Sequence, residues 1–206
     1  MVSIDTTKLE AVNTMLSLTG AGTVNSLDAA LDEEVVRAIA TLDRCNKELQ
    51  IRGWHWNTEL DQTLTEDANG RHPWQEDWIS VDIKVGNHVS LDIRRQGQFI
   101  FDRKLGTNLL KTASLKVDLV RFLPWGDMPE AARNFIMTKA ARMHVVEVLS
   151  DETRAGYTTQ DVRQAWHVLV EAEANAGDYS IFDTGVAPAV RSRPGGTGLR
   201  GSWSPG

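Results

Sequence analysis

One cysteine in 206 residues rules out an internal disulfide, and Cys45 alone cannot build a zinc site without help from histidine and carboxylate. That cysteine usage fits a reducing compartment. No apolar run approaches the roughly 18–20 residues that a bilayer-spanning helix needs. The first residues, Met1-Val2-Ser3-Ile4-Asp5, lack the basic start and apolar core of a secretory signal. The expectation is a chain of cytoplasmic origin, with no membrane partner. Positive charge is in short supply: 22 Lys and Arg stand against 28 Asp and Glu, for a net charge of -6. A pI near 5.4 argues against a general nucleic-acid binder. His-Glu-x-x-His, an acidic calcium loop and a glycine-rich phosphate loop are all missing, so no cofactor and no metal are expected.

What is present is a change of period, twice. The stretch from Thr6 to Leu18 puts Leu9, Val12 and Leu16 on one helical face and ends at Gly20-Ala21-Gly22. Ser26 or Asp28 is placed to cap a second helix. Its apolar positions Leu31, Val35, Ala38, Leu42, Cys45 and Leu49 follow steps of four and three, predicting a long helix with Cys45 as a small core residue. At Gln50-Ile51-Arg52-Gly53-Trp54-His55-Trp56-Asn57 the helix stops and an aromatic-rich β segment begins.

From Trp54 to about Leu123 the period is two. Trp78–Ile83, His88–Ile93 and Leu115–Val120 alternate apolar and polar, with turn sites at Gly86-Asn87 and Gly97. This predicts a meander-like antiparallel insertion of four or five strands with one wet face. Helical periodicity resumes at Asp127-Met128-Pro129-Glu130, where Asp127 is expected to cap and Pro129 to occupy the first turn. Ala132, Phe135, Ile136, Ala140, Met143 and Val146 form that helix's stripe. A last helix over 158–176 carries Val162, Ala165, Trp166, Leu169 and Ala172 on one side. Val186 to Gly206 is rich in Gly, Pro and Ser, has no acid, and cannot fold alone.

Taken together these segments predict an α+β chain. Residues 1–53 and 124–180 form a four-helix bundle, 54–123 an inserted antiparallel β-sheet tip, and 181–206 an extended basic C-terminal tail.

Ala11-Val12-Asn13-Thr14-Met15-Leu16, Gln50-Ile51-Arg52-Gly53-Trp54 with Asn57, Phe101-Asp102-Arg103, and Met128-Pro129-Glu130 followed by Phe135-Ile136, Lys139-Ala140 and Arg142 resemble, in order and spacing, the tail tubular protein A family of short-tailed phages. The resemblance runs from about Leu9 to Gly177. It implies a non-catalytic head-to-tail adaptor of the virion. Such a chain is expected to form a dodecameric ring that joins the portal protein to the tail nozzle protein (tail tubular protein B type). Genomic DNA passes through the channel without specific binding. Under that resemblance the tail residues Arg191, Arg193, Arg200 and Trp203 are expected at the portal interface. Arg71, Trp74, Lys104 and Lys111 are expected at the nozzle interface, with Arg52, Gly53, Trp54 and Pro129 as the structural junction.

Other readings compete for some of these residues. The carboxylate pairs Glu66-Asp67 and Glu76-Asp77 beside Trp74 and Trp78 suggest a glycan-degrading enzyme, because a glycosidase needs two acids flanking the bond. Adjacent loop acids are more often solvated charge. Arg94-Arg95, Arg103-Lys104, Lys111 and Lys116 make the sheet edge basic and suggest a nucleic-acid module, although no binding motif accompanies them. His72 beside Pro73–Asp77 is the nearest thing to a metal cluster and reads as a plain loop histidine. His144 and His167 are expected at solvent or at the bundle edge. Trp54, Trp56, Trp74, Trp78 and Trp125 are expected to pack the joint between sheet and helices.

Overall fold

In the computed structural model residues 5–28, 32–83, 91–110, 112–149 and 157–176 are described. Leu31, the Gly86-Asn87 turn, the start of the 88–93 alternation, Lys111 and the whole tail from residue 177 lie outside them.

Among the described residues four helices and two small antiparallel sheets make this an α+β chain. Helix α1, Lys8–Thr19, opens on a reciprocal cap: the Thr7 hydroxyl accepts from the Glu10 N–H while the Glu10 carboxylate accepts from the Thr7 N–H. It closes at Gly20, whose φ of 82° suits a residue without Cβ. Helix α2, Glu33–Gln50, is capped by Asp32, not by Ser26 or Asp28. Those two residues are used locally, the Ser26 hydroxyl accepting from the Asp28 N–H at 3.1 Å. Helix α3, Glu130–Leu149, and helix α4, Thr159–Ala176, follow the strands. Val35, Ala38, Leu42, Cys45 and Leu49 of α2 are buried as the sequence stripe predicts.

Helix α3 packs against α1, α2 and α4 at once. Its burial therefore spreads beyond one stripe to Arg133, Thr138, Ala141, His144 and Val145. The core built there joins Val12, Met15 and Leu16 of α1 to Leu42 and Leu49 of α2, Ile136 of α3 and Leu169 of α4. Burying each such side chain contributes on the order of 1.5–3 kcal/mol. Among the described residues no helix is long and apolar enough to cross a membrane.

Among the described residues five strands lie between α2 and α3: β1 Thr58–Thr65, β2 Trp78–Ile83, β3 Ile93–Gln96, β4 Phe99–Asp102 and β5 Ser114–Arg121. They are not a meander. Strand β5, last in the chain, is central and pairs antiparallel with both β1 and β2, while β3 and β4 form a separate hairpin. The reason lies in β5 itself, whose Leu115, Val117 and Leu119 alternate into a second core with Ile100, Leu110 and Trp74. Strand β1 bulges between Glu59 and Gln62, where Asp61 has φ 58° and its N–H donates to Asp118 Oδ1.

Candidate functional site

Two places bring sequence-flagged residues together: the joint between α2 and the sheet, and the face of the β3–β4 hairpin. At the joint α2 unwinds through Gly53, whose φ is 70°. The positive φ favours glycine, and a Cβ there would stand 3.2 Å from Val120 Cγ2, close enough that the valine would have to give by a few tenths of an ångström. The strand is not entered directly, because His55–Asn57 makes one 3-10 turn first. The Trp54 N–H donates to Asn57 Oδ1 at 2.7 Å, and the Trp54 indole N–H to the Leu49 carbonyl at 2.8 Å. The Asn57 amide then donates to the carbonyls of Gln50 (3.0 Å) and Arg121 (2.9 Å). Gln50 reaches the far strand end, accepting from the Leu123 N–H at 2.7 Å and donating to the Leu123 carbonyl at 3.0 Å. Gln50 and Asn57 are buried, so this network ties α2 to both ends of the β segment inside the fold.

Helix α4 closes over the joint. The Trp166 ring meets Trp54 edge-on at 5.4 Å and Phe135 at 5.2 Å, with the Arg52 guanidinium 4.8 Å from its centroid. The His55 N–H donates to the Glu173 carboxylate. Arg52, Gly53 and Trp54 therefore sit together, with Gln50, Asn57 and Trp166 as their bonding and packing partners. Pro129 starts α3 next to Met128, whose sulfur lies 3.3 Å from Gln50 Nε2. The Pro129 carbonyl accepts from the Ala132 and Arg133 N–H groups, so Pro129 holds the cap position in place of Asp127. Asp127 ends a 3-10 turn over Trp125–Asp127. Glu130 serves a longer contact, accepting from the Thr6 N–H at 2.9 Å.

The five tryptophans divide between two cores and do not form one cluster. Trp54, Trp56 and Trp125 pack on the helical core, Trp74 and Trp78 on the sheet core. Trp74 is only 9% exposed, and its indole N–H donates to the Trp78 carbonyl at 3.2 Å. The Arg71 guanidinium lies 4.1 Å from the Phe99 centroid and 3.3 Å from Asp67 Oδ2. Lys104 stands exposed in the turn after β4, its N–H donating to Asp102 Oδ1. Lys111, Arg191, Arg193, Arg200 and Trp203 lie outside the described residues.

Of the four acids flagged for glycan cleavage, Asp67 and Asp77 are engaged within the fold. Hydrogen bonds from the Arg71 and Asn69 N–H groups hold the Asp67 carboxyl below its ordinary value, the opposite of what a general acid needs. Asp77 is bound by Arg121, which also holds Glu59 at 2.8 Å. Among the described residues no three histidine, cysteine or acidic side chains gather as a metal would require.

One histidine expectation, that for His144, needs correction, while His72 lies in a loop as expected but is buried. His72 is fully buried beneath the hairpin, its carbonyl accepting from the Ile100 N–H at 2.9 Å. His144 is fully buried too, because α3 is enclosed by three helices, and burial lowers its pKa from 6.5. His167 is exposed. Burial pushes the Cys45 thiol up to about 11, beside Met143 sulfur at 3.5 Å, which makes it an inert core group.

A family model described as tail tubular protein matches residues 9–179, a span that runs from α1 through α4. A comparison with curated protein sequences gives no match.

Proposed function

The chain belongs to the tail tubular protein family, a structural component of the phage tail, and on that premise we propose that it is the head-to-tail adaptor. In this reading twelve-fold copies form a ring that joins the portal protein to the tail nozzle protein, and the genome leaves through its centre. The observation that carries the reading is the family match across all four helices and all five strands. The helices act as one bundle built from 1–53 and 124–180, the inserted strands as a tip that meets the nozzle, and the tail from 181 as the portal contact.

Surface chemistry supports a ring. A closed ring needs two different faces of each subunit to meet. Val36 on α2 and Val168 and Val170 on α4 are exposed, on helices that both pack on α3 but leave different outer surfaces. Much of the α2 charge is used within the subunit: Arg37 pairs with Glu33, Arg44 with Glu147, Glu48 with Lys139 and Asp43 with Lys8. Such exposed pairs contribute little, about 0–1 kcal/mol each. The apolar positions are therefore the stronger candidates for contact between copies. A net charge of -6 suits a channel that must let phosphates slide past. Assembly in the host cytoplasm is part of the same proposal.

Mixing the purified chain with its cognate portal and resolving the mixture by size-exclusion chromatography tests the reading. Co-elution as one large complex is expected. Separate elution at every ratio contradicts the adaptor role.

A further inference from the structure

The outer face of the β3–β4 hairpin is built like half of an interface. Its register pairs Arg94 with Phe101 and Gln96 with Phe99, so these four side chains share one face. Each half-buried phenylalanine lies under a guanidinium: Arg71 is 4.1 Å from Phe99 and Arg94 4.8 Å from Phe101. Arg95 pairs with buried Ile100 and so leaves from the opposite side; it stacks 5.7 Å from Trp74 and lines, with Glu76, Gln98, Phe99 and the Arg121-paired Asp77, a groove of about 620 Å³. Exposed Leu105 and Leu109 stand on the turn that follows. Among the described residues Arg94, Arg95 and Lys104 have no carboxylate in ion-pair range, in a chain whose net charge is -6.

We propose that this hairpin docks an acidic protein surface, with carboxylates meeting Arg94 on the outer face and Arg95 in the groove beside it, and apolar atoms covering Phe99, Phe101 and Leu109. The inference rests on the adaptor reading and gives the chemistry of its nozzle contact. A guanidinium stacked on a ring loses less freedom on binding and keeps its N–H edge for a bidentate carboxylate. Arginine beside aromatic rings is also the composition that concentrates binding energy at protein interfaces. A nucleic-acid backbone fits less well. Phosphates give nothing to the phenylalanine and leucine surface, and the acidic whole repels them.

Binding of the assembled chain to its cognate nozzle protein, measured at low and high salt, tests this with Arg94→Glu/Arg95→Glu and the milder Arg94→Gln/Arg95→Gln. Both positions are exposed, and thermal melting checks that the variants remain folded. The Glu pair is expected to weaken binding by about tenfold or more, the Gln pair by less, and salt to weaken the wild type. Equal affinity for all three proteins overturns the acidic-surface inference while the nozzle contact stands. A wild-type chain that ignores the nozzle at either salt overturns both. Duplex DNA retained by the wild type and lost by the Glu pair, with nozzle binding unchanged, assigns the face to nucleic acid and also overturns the inference.

Discussion

At Asn57 one side-chain amide closes three backbone groups, donating to the carbonyls of Gln50 and Arg121 and accepting from the Trp54 N–H. Asn57→Ala leaves these groups without their partner in a buried site and is expected to cost about 2–4 kcal/mol, read as a lower urea midpoint. Gly53→Ala places a Cβ against Val120 at positive φ and is expected to cost about 1–2 kcal/mol in the same measurement. His144 gives a pH dependence. Burial lowers its folded-state pKa below 6.5, so as pH falls the unfolded chain takes up the proton first. Stability from this site is full above that value and is lost as pH falls below it, and His144→Leu should flatten that part of the curve in denaturant titrations at stepped pH. Gly53 and Trp54 were legible because glycine ends helices and the period changes there. Gln50 and Asn57 entered only through the resemblance and their bonds were not legible, since a side-chain amide that bonds backbone across the fold leaves no periodic trace. His144 was misplaced because one stripe was read on a helix that is covered from three sides.

Among the elements, α4 depends most on a single side chain. Ala165 and Leu169 are its buried residues, and Trp166 adds the aromatic seat against Arg52, Trp54 and Phe135 beside Val162 and the Glu173 contact. Trp166→Ala is expected to raise amide hydrogen exchange across 159–176 while α1 and α2 keep their protection. Unchanged exchange in α4 would show that the helix is held by something other than this ring. Helix existence was readable from period, as was the buried face of α2 down to Cys45 as a core residue. Strand existence was readable as well, but strand order was not. Alternation marks a half-buried strand without saying which neighbour it meets, and β5 became central because its Leu115, Val117 and Leu119 face a shared core. The cap of α2 moved from Ser26 or Asp28 to Asp32 for a similar reason: all three are capping residue types, and packing chose among them.

For the whole molecule, the joint makes the helices and the sheet one connected piece through Gln50, Asn57 and Leu123. A ring subunit of this kind would carry load from one partner to the other along that route. Removing Val186–Gly206 is expected to leave the helices folded, with an unchanged far-ultraviolet circular dichroism signal from them, while weakening portal pull-down. Portal capture equal to that of the full chain would remove the tail from the interface. The central claim is the portal-bound ring, and native mass spectrometry of the chain alone and with its cognate portal tests it most directly. The account predicts a complex that saturates at a dodecamer of this chain on the portal. A chain that stays monomeric in the presence of portal would contradict it.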